Sequence, residues 1–209
     1  ITALCVLFYS AVFPYLKYAP DFMFQKFGIP LDRAGEIPSL LPLGTLFLTP
    51  LFGFLYDRRG RGATIMIIGA VLLVIVHALF SVPTLDSAWV AVALTVLLGI
   101  AFSLVPSAMW PSVAKIMPDN MLGTAYAMIF WVQNIGLSFV PLLIGWVLNT
   151  YSQTGQTLVD GVMTPTYDYT LPMMIFAGFG VLSILFALWL KRDDAKKGYG
   201  LEQPNMKSS

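Results

Sequence analysis

The sequence predicts an all-α membrane protein with six transmembrane helices, and three observations carry this prediction. Of the 209 residues, 57% are hydrophobic. Only 11% are charged, about half the share in an ordinary soluble domain. Six apolar stretches reach roughly 20 residues, the length that crosses the hydrocarbon core of a bilayer. A globular core of this size cannot bury so much apolar surface, whereas a membrane accommodates it.

The six segments follow one another along the chain. In chain order they are about Thr2–Tyr18, Gly35–Tyr56, Ala63–Val82, Ala88–Met117, Leu122–Asn149 and Leu171–Leu190. Tyr151–Thr170 is predicted to be a long polar outer loop. We expect residues 1–190 to form one six-helix transmembrane bundle, and residues 191–209 a hydrophilic, disordered cytoplasmic tail.

The charges predict the orientation of the bundle. Nine of the twelve basic residues fall on one face if the segments alternate: Arg58, Arg59, Arg61, Lys115, Lys191, Arg192, Lys196, Lys197 and Lys207. The opposite face receives Lys17, Lys26 and Arg33, together with Asp160 and other acidic residues. The positive-inside rule therefore places the nine, and both chain ends, in the cytoplasm. No Asn-x-Ser/Thr acceptor occurs, which favours a bacterial cytoplasmic membrane.

The turn between the second and third segments holds the densest charge before the tail. Asp57 ends one apolar helix, and three arginines follow before the next helix begins. Gly60 and Gly62 give this short turn its backbone freedom, since glycine reaches left-handed conformations at little cost. The arginines are expected at headgroup level, where anchoring to anionic lipid is one explanation for them.

Trp110 is the first candidate for ligand contact. Ser103, Ser107 and Trp110 are spaced i, i+4 and i+7 and therefore share one helix face. Two hydroxyls and an indole on one stripe favour a cavity over lipid. The indole offers a flat apolar surface and one donor for a ligand. The alternative is a packing tryptophan or one at the membrane interface.

Further polar candidates lie in the first and fifth segments. Tyr126 and Gln133 are seven residues apart and share a face. Gln133 and the adjacent Asn134 are costly inside a membrane unless they meet protein or water, so each either lines a cavity or clamps two helices together. Lys17, with Tyr9 upstream, is a candidate partner for a substrate carboxylate. The alternative is that Lys17 lies at a helix end and extends to the headgroups.

Enzymatic chemistry has no support in the sequence. Cys5 is the only cysteine, which argues against disulfide scaffolds, thiol redox pairs and cysteine-based metal sites. We find no nucleophile–base pair, metal cluster or phosphate-binding loop, and no basic stripe for nucleic acid. The prediction is a protein that is not an enzyme and that needs neither cofactor nor metal.

The turn resembles a known signature. Gly53-x-Leu55-x-Asp57-Arg58-x-Gly60-Arg61 is similar to the loop that joins the second and third helices of a six-helix half in the major facilitator superfamily. Tyr56 and Gly62 depart from the usual small and basic residues, which is typical of the weaker copy in the C-terminal half. Three further stretches resemble the C-terminal half of one subfamily of this superfamily, the major facilitator superfamily domain-containing protein 1 subfamily. They are Ala108–Ala114, Leu122–Tyr126 and Gln133–Leu137.

The resemblance implies a function. The chain would be the C-terminal half of a twelve-helix secondary carrier, with a partner N-terminal half and lipid around it. Uniport or symport of a small polar solute, such as a dipeptide, would proceed by alternating access. The substrate-binding candidates are Trp110, Ser107, Tyr126, Gln133, Asn134, Tyr9 and Lys17.

The resemblance also implies a conformational latch at the turn. Its residues are Gly53, Asp57, Arg58, Gly60 and Arg61. The Asp57 carboxylate would cap the positive end of a helix in the opposite half. Two other functions stay open. One is a drug–proton antiporter, which would need a buried carboxylate in the other half. The other is a membrane scaffold that transports nothing and has no use for a polar lining.

Overall fold

The computed structural model describes residues 1–159 and 161–206, and it contains the six expected helices. They are α1 (Thr2–Phe27), α2 (Glu36–Arg59), α3 (Gly62–Phe80), α4 (Ala88–Ile116), α5 (Leu122–Val147) and α6 (Thr170–Lys197). Each is long and apolar enough to cross a membrane. The predicted fold class is therefore confirmed. Asp160 and Lys207, which the charge argument assigned to opposite faces, lie outside the described residues.

Helix α1 continues nine residues beyond the predicted end at Tyr18. Its C-terminal part buries Phe22, Met23 and Phe27, so tertiary packing extends the helix where hydropathy alone suggested a stop. Gly28 then ends α1 in a left-handed conformation with φ 63°. Its N–H group donates to the carbonyl of Phe24, as in a common helix C-cap. Lys17 therefore lies in the interior of the helix and not at its end.

The connection between α5 and α6 is not the polar loop that we expected. A short π-helical turn, Leu148–Ser152, leads into strand β1 (Gln153–Val159), which pairs antiparallel with strand β2 (Val162–Tyr167). The sequence does carry a signal for this hairpin, because Asp-Gly between two short strands is a strong turn dipeptide. Gly161 has a φ of 81°, which glycine adopts without strain.

The hairpin is fastened to the C-terminal end of α1. The Gln25 side chain donates to the Pro165 carbonyl at 3.2 Å and to the Asp21 carboxylate at 3.3 Å. The hydroxyl of Tyr169, next to the start of α6, donates to the same carboxylate. These bonds join α1, β2 and α6 at the end of the bundle opposite the signature turn.

Helix α1 lies at the centre of the bundle. It packs mainly against α5 and α6, while α4 packs between α2 and α3, and α3 also packs against α6. Small residues permit the closest approaches. A Cβ added at Gly69 would lie 2.5 Å from Val105 on α4, and one at Gly180 would lie 2.7 Å from Val74 on α3.

Both ends of the described chain lie at the same end of the bundle as the signature turn. Ile1 and Thr2 line one groove with Trp189 and Asp193 of α6. The residues after α6 contact the α2–α3 turn and Lys115 at the end of α4. We call this region the basic end. Its assignment to the cytoplasm remains a prediction.

The tail is ordered over the residues that the structure describes. Helix α6 continues to Lys197, and Gly198–Met206 crosses the basic end in a series of turns. Leu201 is fully buried, and the hydrogen bonds described below hold the segment in place. The expectation of a disordered tail is wrong for these residues, because composition does not reveal how well their polar groups find partners.

Two neighbouring glycines of α6 provide a test of this packing. Gly180→Ala is expected to lower the stability of the folded protein by about 1–3 kcal/mol, because the added methyl group overpacks the α3–α6 contact. Gly178→Ala is the matched control, since nothing lies within 4 Å of a Cβ there. Thermal unfolding of the purified variants in detergent measures the difference. Equal melting temperatures for the two would contradict the packing described.

Candidate functional site

Aromatic side chains of α1, α4 and α5 form one cluster. The Trp110 Nε1 atom donates to the Tyr9 hydroxyl at 3.2 Å, and the Tyr126 hydroxyl donates to the Trp110 carbonyl at 3.0 Å. The Trp110 ring also stacks on Phe130 with a centroid separation of 4.7 Å. Three residues that the sequence analysis singled out separately, 101 and 16 positions apart, are therefore in direct contact.

The cluster continues along α1. Tyr9, Phe13 and Lys17 are spaced by four residues and share one helix face. Phe13 is 41% exposed and packs its edge against Phe102 of α4 at 5.5 Å between ring centroids. Lys17 is also exposed. We call the surface formed by Phe13, Lys17, Phe102, Trp110, Phe130 and Asn134, together with Tyr9, which is only 7% exposed, the open face.

Lys17 lies well inside the length of α1. It precedes Phe27 by ten residues, about 15 Å along the axis, and follows Tyr9 by eight residues, about 12 Å. Among the residues that the structure describes, no hydrogen-bond acceptor or carboxylate partners its ammonium group. Facing lipid, such a charge is expensive. Helix α1 continues past Tyr18, and the choice between snorkelling to the headgroups and contact with a substrate stays a prediction for Lys17.

The two adjacent amides of α5 point in different directions. Gln133 is 6% exposed, and its Oε1 atom accepts a bond from the Cys5 thiol at 3.2 Å. It therefore clamps α5 to α1. Asn134 is exposed, and its side chain donates to the Phe130 carbonyl at 2.8 Å. It lines a groove of about 450 Å³ with Trp131 and other side chains of α5.

The serines of α4 do not extend the open face. The Ser103 hydroxyl donates to the Gly99 carbonyl and the Ser107 hydroxyl to the Leu104 carbonyl, both at 2.8 Å. Both serines are buried. The helical spacing with Trp110 is as predicted, but only Trp110 among the three is partly exposed. Each hydroxyl donates to a carbonyl of its own helix. Residue spacing alone cannot distinguish this arrangement from exposure to a cavity.

The signature turn has an unusual backbone. Gly60 has φ 70° and ψ −139°, and Arg61 has φ 65°, the one positive value for a non-glycine residue in the described chain. Gly53 lies one helical turn before Asp57, and Arg58 is exposed. The Asp57 Oδ1 atom accepts a bond of 2.6 Å from the side chain of Asn205. This contact with the tail was not predicted.

Several members of the open face were not predicted from the sequence. Phe13 follows Tyr9 by four residues, and Phe130 precedes Asn134 by four, so helical spacing could have identified both. Phe102 carries no comparable signal, because α4 is apolar around it. Within residues 1–159 and 161–206 no group of three or more His, Cys, Asp or Glu side chains could hold a metal.

Comparison with known proteins identifies a family and several relatives of this chain. A model of the Major Facilitator Superfamily matches residues 1–206. The lysosomal dipeptide transporter MFSD1 of Bos taurus is 33% identical over 147 residues, and that of Mus musculus is 35% identical over 147 residues. These alignments cover 70% of this chain but 31% of each relative. The chain thus spans about a third of the length of the curated relatives it matches.

Solved transporter structures share the fold. The nucleoside transporter NupG superposes with a TM-score of 0.68 at 19% identity, covering 90% of this chain and 47% of that one. A POT family transporter in complex with 5-aminolevulinic acid gives 0.67 at 16% identity, covering 99% and 41%. At these identities the likeness shows the fold alone.

The different settings of Gln133 and Asn134 can be tested by stability. Gln133→Ala is expected to destabilise the protein by about 1–3 kcal/mol, because it removes an interhelical bond and leaves a gap between α1 and α5. Asn134→Ala is expected to leave stability nearly unchanged, since its side chain bonds only within α5. Denaturant-induced unfolding in detergent compares them. A larger loss for Asn134→Ala would contradict the assignment of the clamp to Gln133.

Proposed function

The chain belongs to the major facilitator superfamily, and we propose that it forms one six-helix half of a secondary transporter. This half moves a small polar organic solute across a membrane by alternating access, rocking against an N-terminal half around a shared site. The open face is the wall that this half contributes to the site. The six apolar helices place the chain in the membrane as a multi-pass protein.

The observation that carries the proposal is the unpaired Lys17 on an aromatic surface. Elsewhere the exposed side chains of the helices are largely apolar, as a lipid-facing surface requires. Lys17 and Asn134 interrupt that pattern on the surface between α1 and α5. Polar and charged groups at this depth face water or a bundle interior. A second half closing over the open face would enclose them in a cavity.

The chemistry of the open face favours a substrate that has a carboxylate and an apolar group. Lys17 supplies a cation at one end, and the cluster around Trp110 supplies stacking surface about 12 Å away along α1. An extended dipeptide is about 7 Å long, so it fits between them with room for a side chain on the aromatic cluster. Among the described residues no carboxylate lies on the open face. The N-terminal half would therefore bind the substrate ammonium.

Dipeptides are our first choice of cargo. The MFSD1 relatives are lysosomal dipeptide transporters, and they match 70% of this chain. The contribution of Trp110, Tyr9, Tyr126, Asn134 and Lys17 to binding is part of this proposal, with Gln133 and Ser107 supporting the helices behind them. We keep the bacterial cytoplasmic membrane as the proposed location, resting on the lack of a glycosylation acceptor.

The latch at the signature turn belongs to the same proposal. Gly53, Asp57, Arg58, Gly60 and Arg61 lie at the basic end, where the two halves would meet in the outward-open state. A carboxylate near a helix N-terminus gains roughly 0.3–2 kcal/mol. That is enough to shift a carrier whose two states are nearly balanced.

Dipeptide uptake by the full-length protein in proteoliposomes tests the substrate assignment. Trp110→Ala is expected to lower uptake roughly tenfold, equivalent to about 1.4 kcal/mol of lost interaction. Trp89→Ala is the matched control, because Trp89 is 83% exposed at the outer start of α4. Equal uptake by both variants would remove Trp110 from the site. Transport of cationic drugs rather than dipeptides, driven by a proton gradient, would support the antiporter alternative.

A second experiment tests the role of Lys17. In Lys17→Gln, uptake of a dipeptide is expected to fall roughly 10- to 100-fold, the cost of one charge-assisted hydrogen bond. Inhibition of uptake by a dipeptide with an amidated C-terminus should differ little between this variant and the unmodified protein. The amidated dipeptide has no carboxylate for Lys17 to bind. Lys17→Arg, which keeps the charge, should retain part of the uptake. If Lys17→Gln weakened binding of the free-acid and the amidated dipeptide equally, recognition of the carboxylate by Lys17 would be contradicted. Undiminished uptake by Lys17→Gln would remove Lys17 from the site, and a lack of uptake by the unmodified protein would favour the scaffold alternative.

A further inference from the structure

The segment after α6 is a strap across the signature turn. Its backbone pairs with the turn, since the Arg61 N–H donates to the Glu202 carbonyl at 3.0 Å and the Gly62 N–H to the Leu201 carbonyl at 2.8 Å. The approach is close enough to require glycine. A Cβ at Gly60 would lie 2.5 Å from backbone atoms of Glu202 and Gln203. We call Gly198–Met206 the strap.

Glu202 of the strap caps the start of α3. Its Oε1 atom accepts from the Thr64 N–H at 2.9 Å, and its Oε2 atom accepts from the Thr64 hydroxyl at 2.8 Å. A carboxylate at this position satisfies a free N–H group and opposes the positive end of the helix. Lys191 completes the arrangement, donating to the same hydroxyl at 2.7 Å.

Lys115 holds the strap from the side of α4. Its Nζ atom donates to the carbonyls of Gly200 at 2.9 Å and Gln203 at 2.7 Å. The Leu201 N–H donates to the buried carboxylate of Asp194 at 3.0 Å. Apart from Leu201, however, the strap residues are exposed or only partly buried. Docking therefore depends on one leucine and on polar contacts that compete with water, so each polar contact contributes little net stability.

The strap also forms hydrogen bonds with Asp57. The N–H groups of Asn205 and Met206 both donate to the Asp57 carbonyl at 2.9 Å, and the Asn205 side chain donates to its carboxylate at 2.6 Å. Among the residues described, no basic side chain lies within 4.0 Å of that carboxylate. Residues 205 and 206 thus lie across the end of α2, where a helix of another half would have to approach.

We propose that the strap is an autoinhibitory element of the carrier: its docking on Asp57 and the engagement of Asp57 by the opposite half exclude each other. The inference rests on the proposed function, because it assumes a second half that uses this turn. A docked strap withholds the carboxylate and favours the state in which the basic ends of the two halves are apart. Release of the strap frees Asp57 and favours the outward-open state.

Hydrogen exchange tests docking directly. In the full-length protein, Asn205→Ala is expected to speed amide exchange of a peptide covering Arg61–Thr64 several-fold, since three of its N–H groups are bonded to the strap. Gln203→Ala is the matched control. It removes an amide side chain from the same segment, but that side chain makes no hydrogen bond within the described residues. Unchanged exchange in Asn205→Ala would overturn the proposal.

A spin-label distance measurement tests the competition. One label is placed at Asp86 in the outer α3–α4 turn and the other on the outer surface of the opposite half. Asn205→Ala is expected to increase the outward-open population, and adding Asp57→Asn should abolish that increase. Faster exchange without a change in the distances would reduce the strap to a structural cap and overturn autoinhibition. Neither readout depends on the substrate, so failure of the dipeptide assignment would leave this test intact.

Discussion

The cost of placing a charge inside a membrane is the constraint on which the account depends. Lys17 lies about 15 Å from the outer end of α1 and about 12 Å beyond the aromatic cluster at Tyr9. Its side chain is open, and no described residue neutralises it. We infer that Lys17 faces a cavity between two halves, because a charge that faces lipid is costly. Helix α1 packs on α5 and α6, Tyr9 is buried against α4, and Phe13 and Lys17 remain exposed.

At the basic end, by contrast, the polar groups can reach water, but several of them are also hydrogen-bonded to each other. Glu202 caps α3, Lys115 caps the carbonyls of the strap, and Asn205 holds Asp57. While the strap is docked, these bonds also stabilise the turn. Arg61 adopts a left-handed conformation that is unfavourable for a side-chain-bearing residue, and its N–H bond to the strap helps to hold it there. Turn and strap therefore form one unit, so a change in either is felt by the other.

Much of this could be predicted from the sequence, because hydropathy and helix length dictate membrane spans. All six helices were predicted, and the residues of Gly53–Arg61 carry the family signature in their order and spacing alone. The predictions that were wrong concern local structure and contacts. The outer end of α1 is held by packing of Phe22 and Phe27, which hydropathy does not register. Ser103 and Ser107 satisfy their hydroxyls within α4. The strap depends on contacts between residues about 140 positions apart, such as Thr64 and Glu202, and no local pattern reveals them.

The most direct test asks whether the open face meets water. A cysteine at Phe13 in the full-length protein would be treated with a membrane-impermeant, hydrophilic thiol reagent. A cysteine at Leu185, which is 56% exposed on α6, provides the lipid-facing reference. The native Cys5 is buried and contributes little background. The account predicts rapid labelling at position 13, slowed by dipeptide, and negligible labelling at position 185. Equal resistance of both positions would contradict it, because the open face would then face lipid or protein rather than a transport cavity.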